Sequence, residues 1–248
     1  MVDNKRQAKI LQTIRIQQGK DAEAKIAQQK AEEKTKEAMK VAGKGHVLKY
    51  SAIGDSLTAG YAATSTDKAF INRFSSLLID NMGFDVKTTN NGLSGAILSY
   101  GLTLASKVNE QTPDLITIEF GTNDGNNANR VDPKVFETQL NQLLDDLTIN
   151  AKRDPLIALL TTWNVGSDGV LFNQAIYKVG EERHIPVIDI SSIGADPISS
   201  GPAGVKRAGG GVTDAFHPND VGMDEIAKAI DSQIEPLLFA RVTSGIVK

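Results

Sequence analysis

The sequence predicts an α/β domain, with a five-stranded parallel sheet held between two layers of helices and an N-terminal helical arm before it. Three observations carry this. After residue 45, short apolar runs and amphipathic runs alternate five times. The middle apolar runs are continuous rather than alternating, the pattern of strands buried on both faces. The 248 residues, 40% hydrophobic and 23% charged, suffice for one such domain and an appendage.

The arm comes first, over residues 1–43. It is rich in Lys, Gln, Glu and Ala, strong helix formers without a broad apolar face, and Gly43-Lys44-Gly45 ends it. Ala24, Ala31 and Ala38 recur every seven residues, and Ile10, Leu11, Ile14, Ile26 and Met39 are among its large apolar side chains. That is a thin coiled-coil seam. Two readings stand: a solvated helix or linker, or a stalk that docks or makes a homo-oligomer.

Residues 44–248 then form the domain. Residues 46–53 read as a first strand that runs into a Gly-Asp-Ser turn. Residues 68–82 carry Phe70, Ile71, Phe74, Leu77 and Leu78 at helical spacing. A strand is expected over 84–88, a helix over 96–108 and a strand over 114–120. Residues 133–151 are amphipathic, with Asp132 placed to cap and Pro133 suited to the first turn. A strand over 155–162, a helix over 171–183, a strand over 185–190 and a long helix over 218–239 complete the pattern.

Composition narrows the function. The net charge of −3 offers no basic stripe for nucleic acid. No apolar run approaches the roughly 20 residues that cross a bilayer, and the N-terminus has no apolar signal region. A soluble setting is expected, cytoplasmic or attached to a surface or virion. Cysteine is absent, which removes disulfides and thiolate chemistry. There are three histidines, His46, His184 and His217.

Four polar clusters follow strand ends: Gly54-Asp55-Ser56-Leu57, Asn90 to Gly95, Gly121-Thr122-Asn123-Asp124 and Asp214-Ala215-Phe216-His217. In a parallel sheet these ends share one rim, where sites form. His46 and His184 precede strands and fall on the opposite rim, which leaves His217. A serine hydroxyl attacks only when a base takes its proton, and a carboxylate three residues before the histidine can reach its other ring nitrogen. Ser56, His217 and Asp214 are therefore candidate nucleophile, base and orienting acid. The Ser56 and Gly95 backbone N–H groups and the Asn123 side chain are candidate oxyanion donors. Each has a plainer reading as well: Ser56 a helix cap, Gly95 a turn glycine, Asn123 an Asx turn, His217 a surface histidine. Asp55 and Asp124 read as loop ties that accept backbone N–H bonds.

These clusters, in this order, resemble the conserved blocks of the SGNH, or GDSL-like, hydrolases. Gly54-Asp55-Ser56-Leu57 is similar to the first block, Gly95 to the glycine of the second, Gly121-Thr122-Asn123-Asp124 to the third and Asp214 to His217 to the last, with Pro218, Asn219 and Gly222 as its usual sequel. The resemblance spans roughly residues 47–236. It implies a flavodoxin-like three-layer α/β/α sandwich and ester hydrolysis through an acyl-enzyme, with no metal or cofactor. It does not separate deacetylation of a glycan or small soluble esters, the readings favoured here, from lysophospholipase or thioesterase activity, or from a module that keeps the fold without turnover. Tyr61, Phe120, Trp163 and Phe216 adjoin the blocks and either line a pocket or pack. The glycine-rich segment 191–213 is expected to be a lid or a disordered insertion.

Overall fold

The computed structural model describes residues 2–126, 128–149, 151–163 and 166–247. The chain divides into two units, Met1–Val41 and Ala42–Lys248. The first is one helix, α1 (Val2–Ala42). Ile14, Ile16 and Ile26 are each about half exposed on it. The side chains of Ile10 and Leu11 lie outside the described ones. The second unit carries its own core.

In that second unit the strands are β1 (Val47–Gly54), β2 (Asp85–Gly92), β3 (Leu115–Glu119), β4 (Leu156–Leu160) and β5 (Val187–Ile188). They form one sheet in the order β2-β1-β3-β4-β5, with every neighbouring pair parallel. The helices between them are α2 (Phe70–Met82), α3 (Leu98–Gln111), α4 (Pro133–Ile149) and α5 (Ser167–Arg183), followed by the short α6 (Ser191–Gly194) and α7 (Asp220–Thr243).

Side-chain alternation along the strands sorts the core into two layers. Leu48, Tyr50, Leu115, Ala158 and Leu160 pack with Phe70, Phe74 and Leu78 of α2 and with Met223, Ile226, Ile230 and Ile234 of α7. Ile116, Ile118, Ile157 and Leu159 face the other way, onto Leu104 and Val108 of α3, Phe136, Leu140 and Leu143 of α4, and Ile176 and Val179 of α5. Each buried Leu, Ile, Val, Phe or Met among them stabilises the fold by about 1.5–3 kcal/mol relative to exposure. This is the three-layer sandwich that the resemblance implies, in the doubly wound order of the flavodoxin type.

Several boundaries differ from the sequence reading. The expected strand over 84–88 runs on through Asn90, Asn91 and Gly92, because β2 is an edge strand and its polar side chains meet solvent or, at Asn91, bond Ser51 and Gln111. The expected strand over 185–190 shrinks to two residues. The helix expected from 68 begins at Phe70, after a 3₁₀ turn over Thr66–Lys68. The last helix starts at Asp220, not Pro218. Asn219 caps it, accepting the N–H groups of Val221 and Gly222. Asp132 does cap α4, accepting Lys134 N–H at 2.8 Å.

Candidate active site

The sheet register sets the site. Gly54 lies level with Gly92 of β2 on one side and with Glu119 of β3 on the other. The three loops that leave these positions therefore emerge side by side, at the point where the chain turns from winding one way to winding the other. Gly92 is required by space: a Cβ there would lie 2.4 Å from Ala59 N, in the loop that carries the serine. Gly95 is required by conformation, at φ +80° with open space around it.

Ser56 stands at the end of β1, 6% exposed. Its Oγ is 2.9 Å from Nε2 of His217, and Nδ1 of that ring is 2.7 Å from Oδ2 of Asp214. The other oxygen of Asp214 accepts the backbone N–H of Phe216 at 2.9 Å and of His217 at 2.8 Å. The tight turn is thus locked by the same carboxylate that orients the ring. Burial opposes the charge on Asp214, but those N–H groups and the imidazole hold its carboxyl below the usual range. With Nδ1–H given to Asp214, Nε2 is left as the acceptor facing the serine.

The loop with His217 is braced from β4 and α7. Trp163, 1% exposed, donates Nε1–H to the Phe216 carbonyl at 2.8 Å and its backbone N–H to Thr122 Oγ1 at 2.9 Å. Asn219 donates its amide to the carbonyls of Ile198 and Ser200. A Cβ on Gly222 would lie 2.2 Å from the Ser199 carbonyl oxygen, which gives that glycine its reason. Of the four aromatic candidates, Trp163 and Phe120 are packed in the core. Tyr61 and Phe216 flank the imidazole, with ring centroids 4.3 and 5.2 Å from it.

The candidate oxyanion donors lie on the loops that leave β1, β2 and β3. The backbone N–H groups of Ser56 and Gly95 make no hydrogen bond among the described residues. Asn123 differs. Its Nδ2 donates to Asp55 Oδ2 at 2.8 Å and to the Ala96 carbonyl at 3.1 Å, so both of its hydrogens are engaged. To donate elsewhere it must give one up.

Below the loops lie three buried carboxyls: Asp55, Glu119 and Asp124. Asp124 ties the rim together, accepting Leu98 N–H at 3.0 Å and Gly121 N–H at 3.1 Å, and burial pushes its carboxyl up to about 6. Asp55 accepts from Leu57 N–H and Asn123, and its Oδ1 lies 3.3 Å from Ser56 Oγ, whose single hydrogen can go either there or to His217. Glu119 takes the Asp55 backbone N–H and the Thr58 hydroxyl. Both of these bonds go to Glu119 Oε2, and its Oε1 is buried without a hydrogen-bond partner. Burial, then the charge on Asp55, raises Glu119 well above the carboxylate range, so Glu119 holds the proton. Asp55 and Asp124 tie loops as the sequence leads one to expect; Glu119 is the carboxyl the sequence does not single out, and its signal there is an acidic residue at the end of a buried strand.

Segment 191–213, expected as a lid or a disordered insertion, is ordered by its own bonds. It contains α6, a 3₁₀ turn over Pro197–Ser199 and a bridge between Lys206 and Val212. Thr213 accepts Val205 N–H and donates to the Pro202 carbonyl, and Ala208 N–H donates to the Ala63 carbonyl. No helix among the described residues is long and apolar enough to cross a membrane.

A doubly wound sheet with a serine, a histidine and a carboxylate in hydrogen-bonded sequence on its carboxyl rim is the layout of a hydrolase that works through a serine. Comparison with known proteins supplies the family. The model of the GDSL-like lipase/acylhydrolase family matches residues 52–224, and the chain belongs to that family. An arylesterase of Vibrio mimicus is 34% identical over 97 residues, which is 39% of this chain and 46% of that protein, so the match spans under half of the relative's length. Two solved structures share the fold. A lipase/acylhydrolase from Enterococcus faecalis has a TM-score of 0.62 at 22% identity, over 77% of this chain and 96% of that one. An acetylxylan esterase from Geobacillus stearothermophilus has a TM-score of 0.60 at 20% identity, over 79% of this chain and 96% of that one.

Proposed function

We propose that the chain is a serine esterase that removes short acyl groups, acetyl above all, from a carbohydrate or a similar polyhydroxylated carrier. The observation that carries this reading is the hydrogen-bonded run from Ser56 Oγ through His217 to Asp214, at 2.9 and 2.7 Å. His217 takes the serine proton as Oγ attacks the ester carbonyl, and Asp214 supports the imidazolium that forms. The backbone N–H groups of Ser56 and Gly95 stabilise the oxyanion, joined by Asn123 once its bond to the Ala96 carbonyl is released. Losing one such donor typically costs about 2.7–4 kcal/mol. His217 then returns the proton to the leaving alcohol, and a water activated by the same ring releases the acid from Ser56.

Two features support a short acyl group and a polar carrier. The cleft next to Tyr61, the ring that flanks His217, is lined by small residues and by hydroxyl and amide side chains, Asn72, Asn90 and Ser94 among them. An acetylxylan esterase is among the proteins that share the fold. The test compares p-nitrophenyl acetate, butyrate and octanoate, and acetylated xylo-oligosaccharides, with the native chain and Ser56→Ala. Turnover by the native chain alone, falling with acyl length, is expected. Equal rates from the two proteins would remove Ser56 as nucleophile, and a preference for octanoate would remove the short-acyl reading.

A further inference from the structure

The segment 200–213 brings a cation to the edge of the serine site that the mechanism above does not use. Arg207 sits in the turn closed by the Lys206–Val212 bridge, and Ala208 N–H anchors that turn to Ala63 in the loop after β1. The guanidinium carbon lies 3.8 Å from the centre of the Tyr61 ring, and Nη1 donates to the Tyr61 carbonyl at 3.2 Å. The same Tyr61 ring lies 4.3 Å from the His217 ring. The guanidinium is thus no further from the base than those two contacts laid end to end, about the reach of one sugar unit.

Arg207 is fixed but unsatisfied. Its Nε is buried with no hydrogen-bond partner, Nη2 makes no hydrogen bond, and no carboxylate among the described residues pairs with it. A half-buried guanidinium without a counter-ion is costly, and a stacked, oriented one is preorganised for an anion. It lines a cleft of about 340 Å³, with no acidic residue on the walls. Asn90 and Ser94 also line this cleft; Asn90 Oδ1 accepts the Gly92 N–H at 2.8 Å, its Nδ2 makes no hydrogen bond among the described residues, and neither does the Ser94 hydroxyl. One planar cation among hydroxyl and amide groups, beside an aromatic ring, is a recognition set for a sugar that bears a carboxylate.

We propose that Arg207 forms an anion subsite, and that the preferred substrates are O-acylated sugar acids whose carboxylate it binds while a neighbouring ester meets Ser56. This rests on the esterase reading and narrows its substrate. Lys206 and Arg207 stand together at this turn, so the local field also favours a negative ligand.

The experiment measures kcat/KM for the methyl glycoside of an O-acetylated galacturonic acid and for the same compound as its neutral C6 amide. The native chain is expected to prefer the acid by about 10- to 100-fold, the worth of one charge-assisted hydrogen bond. Arg207→Gln is expected to bring the ratio close to one, and Arg207→Lys to leave it between the two, because Lys keeps the charge and loses the planar fork. Calorimetric binding of the deacetylated acid and of its amide gives a readout that needs no turnover, and inorganic phosphate as a competitor shows whether a phosphate serves equally. Hydrolysis without preference for the acid, or a preference that survives Arg207→Gln, overturns the subsite while leaving the esterase standing. Selective binding of the acid without hydrolysis of any ester keeps the subsite and overturns the esterase. Phosphate displacing the acid at equal concentration would move the ligand class from sugar acids to phosphoesters.

Discussion

Asp231 gives a quantitative test of the helix packing behind the site. It lies on the inner face of α7, 8% exposed. Oδ2 accepts Asn81 Nδ2 of α2 at 2.9 Å, and Oδ1 is buried without a partner. Burial first, and then the nearby charge of Glu235, raises the carboxyl from 3.8 to about 6. The folded value lies above the unfolded one, so the folded state holds its proton longer. Below about pH 4 both states are protonated and the group is neutral in its effect. Between about 4 and 6 the unfolded chain releases the proton first, and the fold loses stability as pH rises. Two pH units at 1.36 kcal/mol each make a full cost of about 3 kcal/mol above pH 6. Asp231→Asn keeps the acceptor for Asn81 and has no proton to lose. Its advantage over the native chain is expected to grow by about 2 kcal/mol between pH 4 and pH 8, most of that full cost. Urea unfolding of both proteins at the two pH values measures this as a shift in midpoint at constant slope. Parallel pH profiles for the two proteins would refute the assignment of a charged, buried Asp231.

Asp214→Asn keeps an oxygen for the Phe216 and His217 N–H groups but turns an NH₂ towards the imidazole Nδ1, which favours the wrong tautomer, and is expected to lower kcat on the order of 10³- to 10⁴-fold, measured on p-nitrophenyl acetate. A loss below tenfold would mean that the ring is oriented by other contacts. Glu119→Gln keeps an oxygen to accept the Asp55 N–H and the Thr58 hydroxyl and is expected to fold with stability close to native. Glu119→Leu leaves the Asp55 N–H and the Thr58 hydroxyl without an acceptor and should cost about 2 kcal/mol or more in urea unfolding. Gly222→Ala forces a methyl against the Ser199 carbonyl, and both the melting temperature and kcat should fall, since the first turn of α7 adjoins His217. We further propose that α1 associates in solution. Light scattering on the full chain and on a chain starting at Gly45 should give a multimer and a monomer, and two monomers would end the stalk reading.

The parts of the fold and site that the sequence displays are those decided locally. Continuous apolar runs identify β3 and β4 because both of their faces are covered. The placement of His217 on the rim follows from which residues come after strands and which come before them. The end of β2 was not legible in the same way: Asn90-Asn91-Gly92 has the composition of a turn, and only pairing with Ala52, Ile53 and Gly54 makes it a strand. Glu119 and Arg207 depend on contacts across 64 and 146 residues of chain, with Asp55 and Tyr61. No local pattern announces such a contact. Trp163 carries an indole N–H that must find an acceptor when buried, but the sequence alone does not say that the acceptor is the carbonyl next to His217.

The buried carboxyls explain why the rim can hold its geometry at the point where the apolar core ends. Loops that emerge from strand ends carry backbone N–H groups and hydroxyls that no longer have ladder partners, and an apolar filling would leave them unsatisfied. Asp124 and Asp55 satisfy these groups with fixed acceptors, and each ties one loop to the next. Two charged carboxylates in contact would repel, and two neutral ones would surrender an acceptor. One proton, held on Glu119 because burial raises it well above the carboxylate range, removes that repulsion and lets both side chains stay in place as acceptors for the rim.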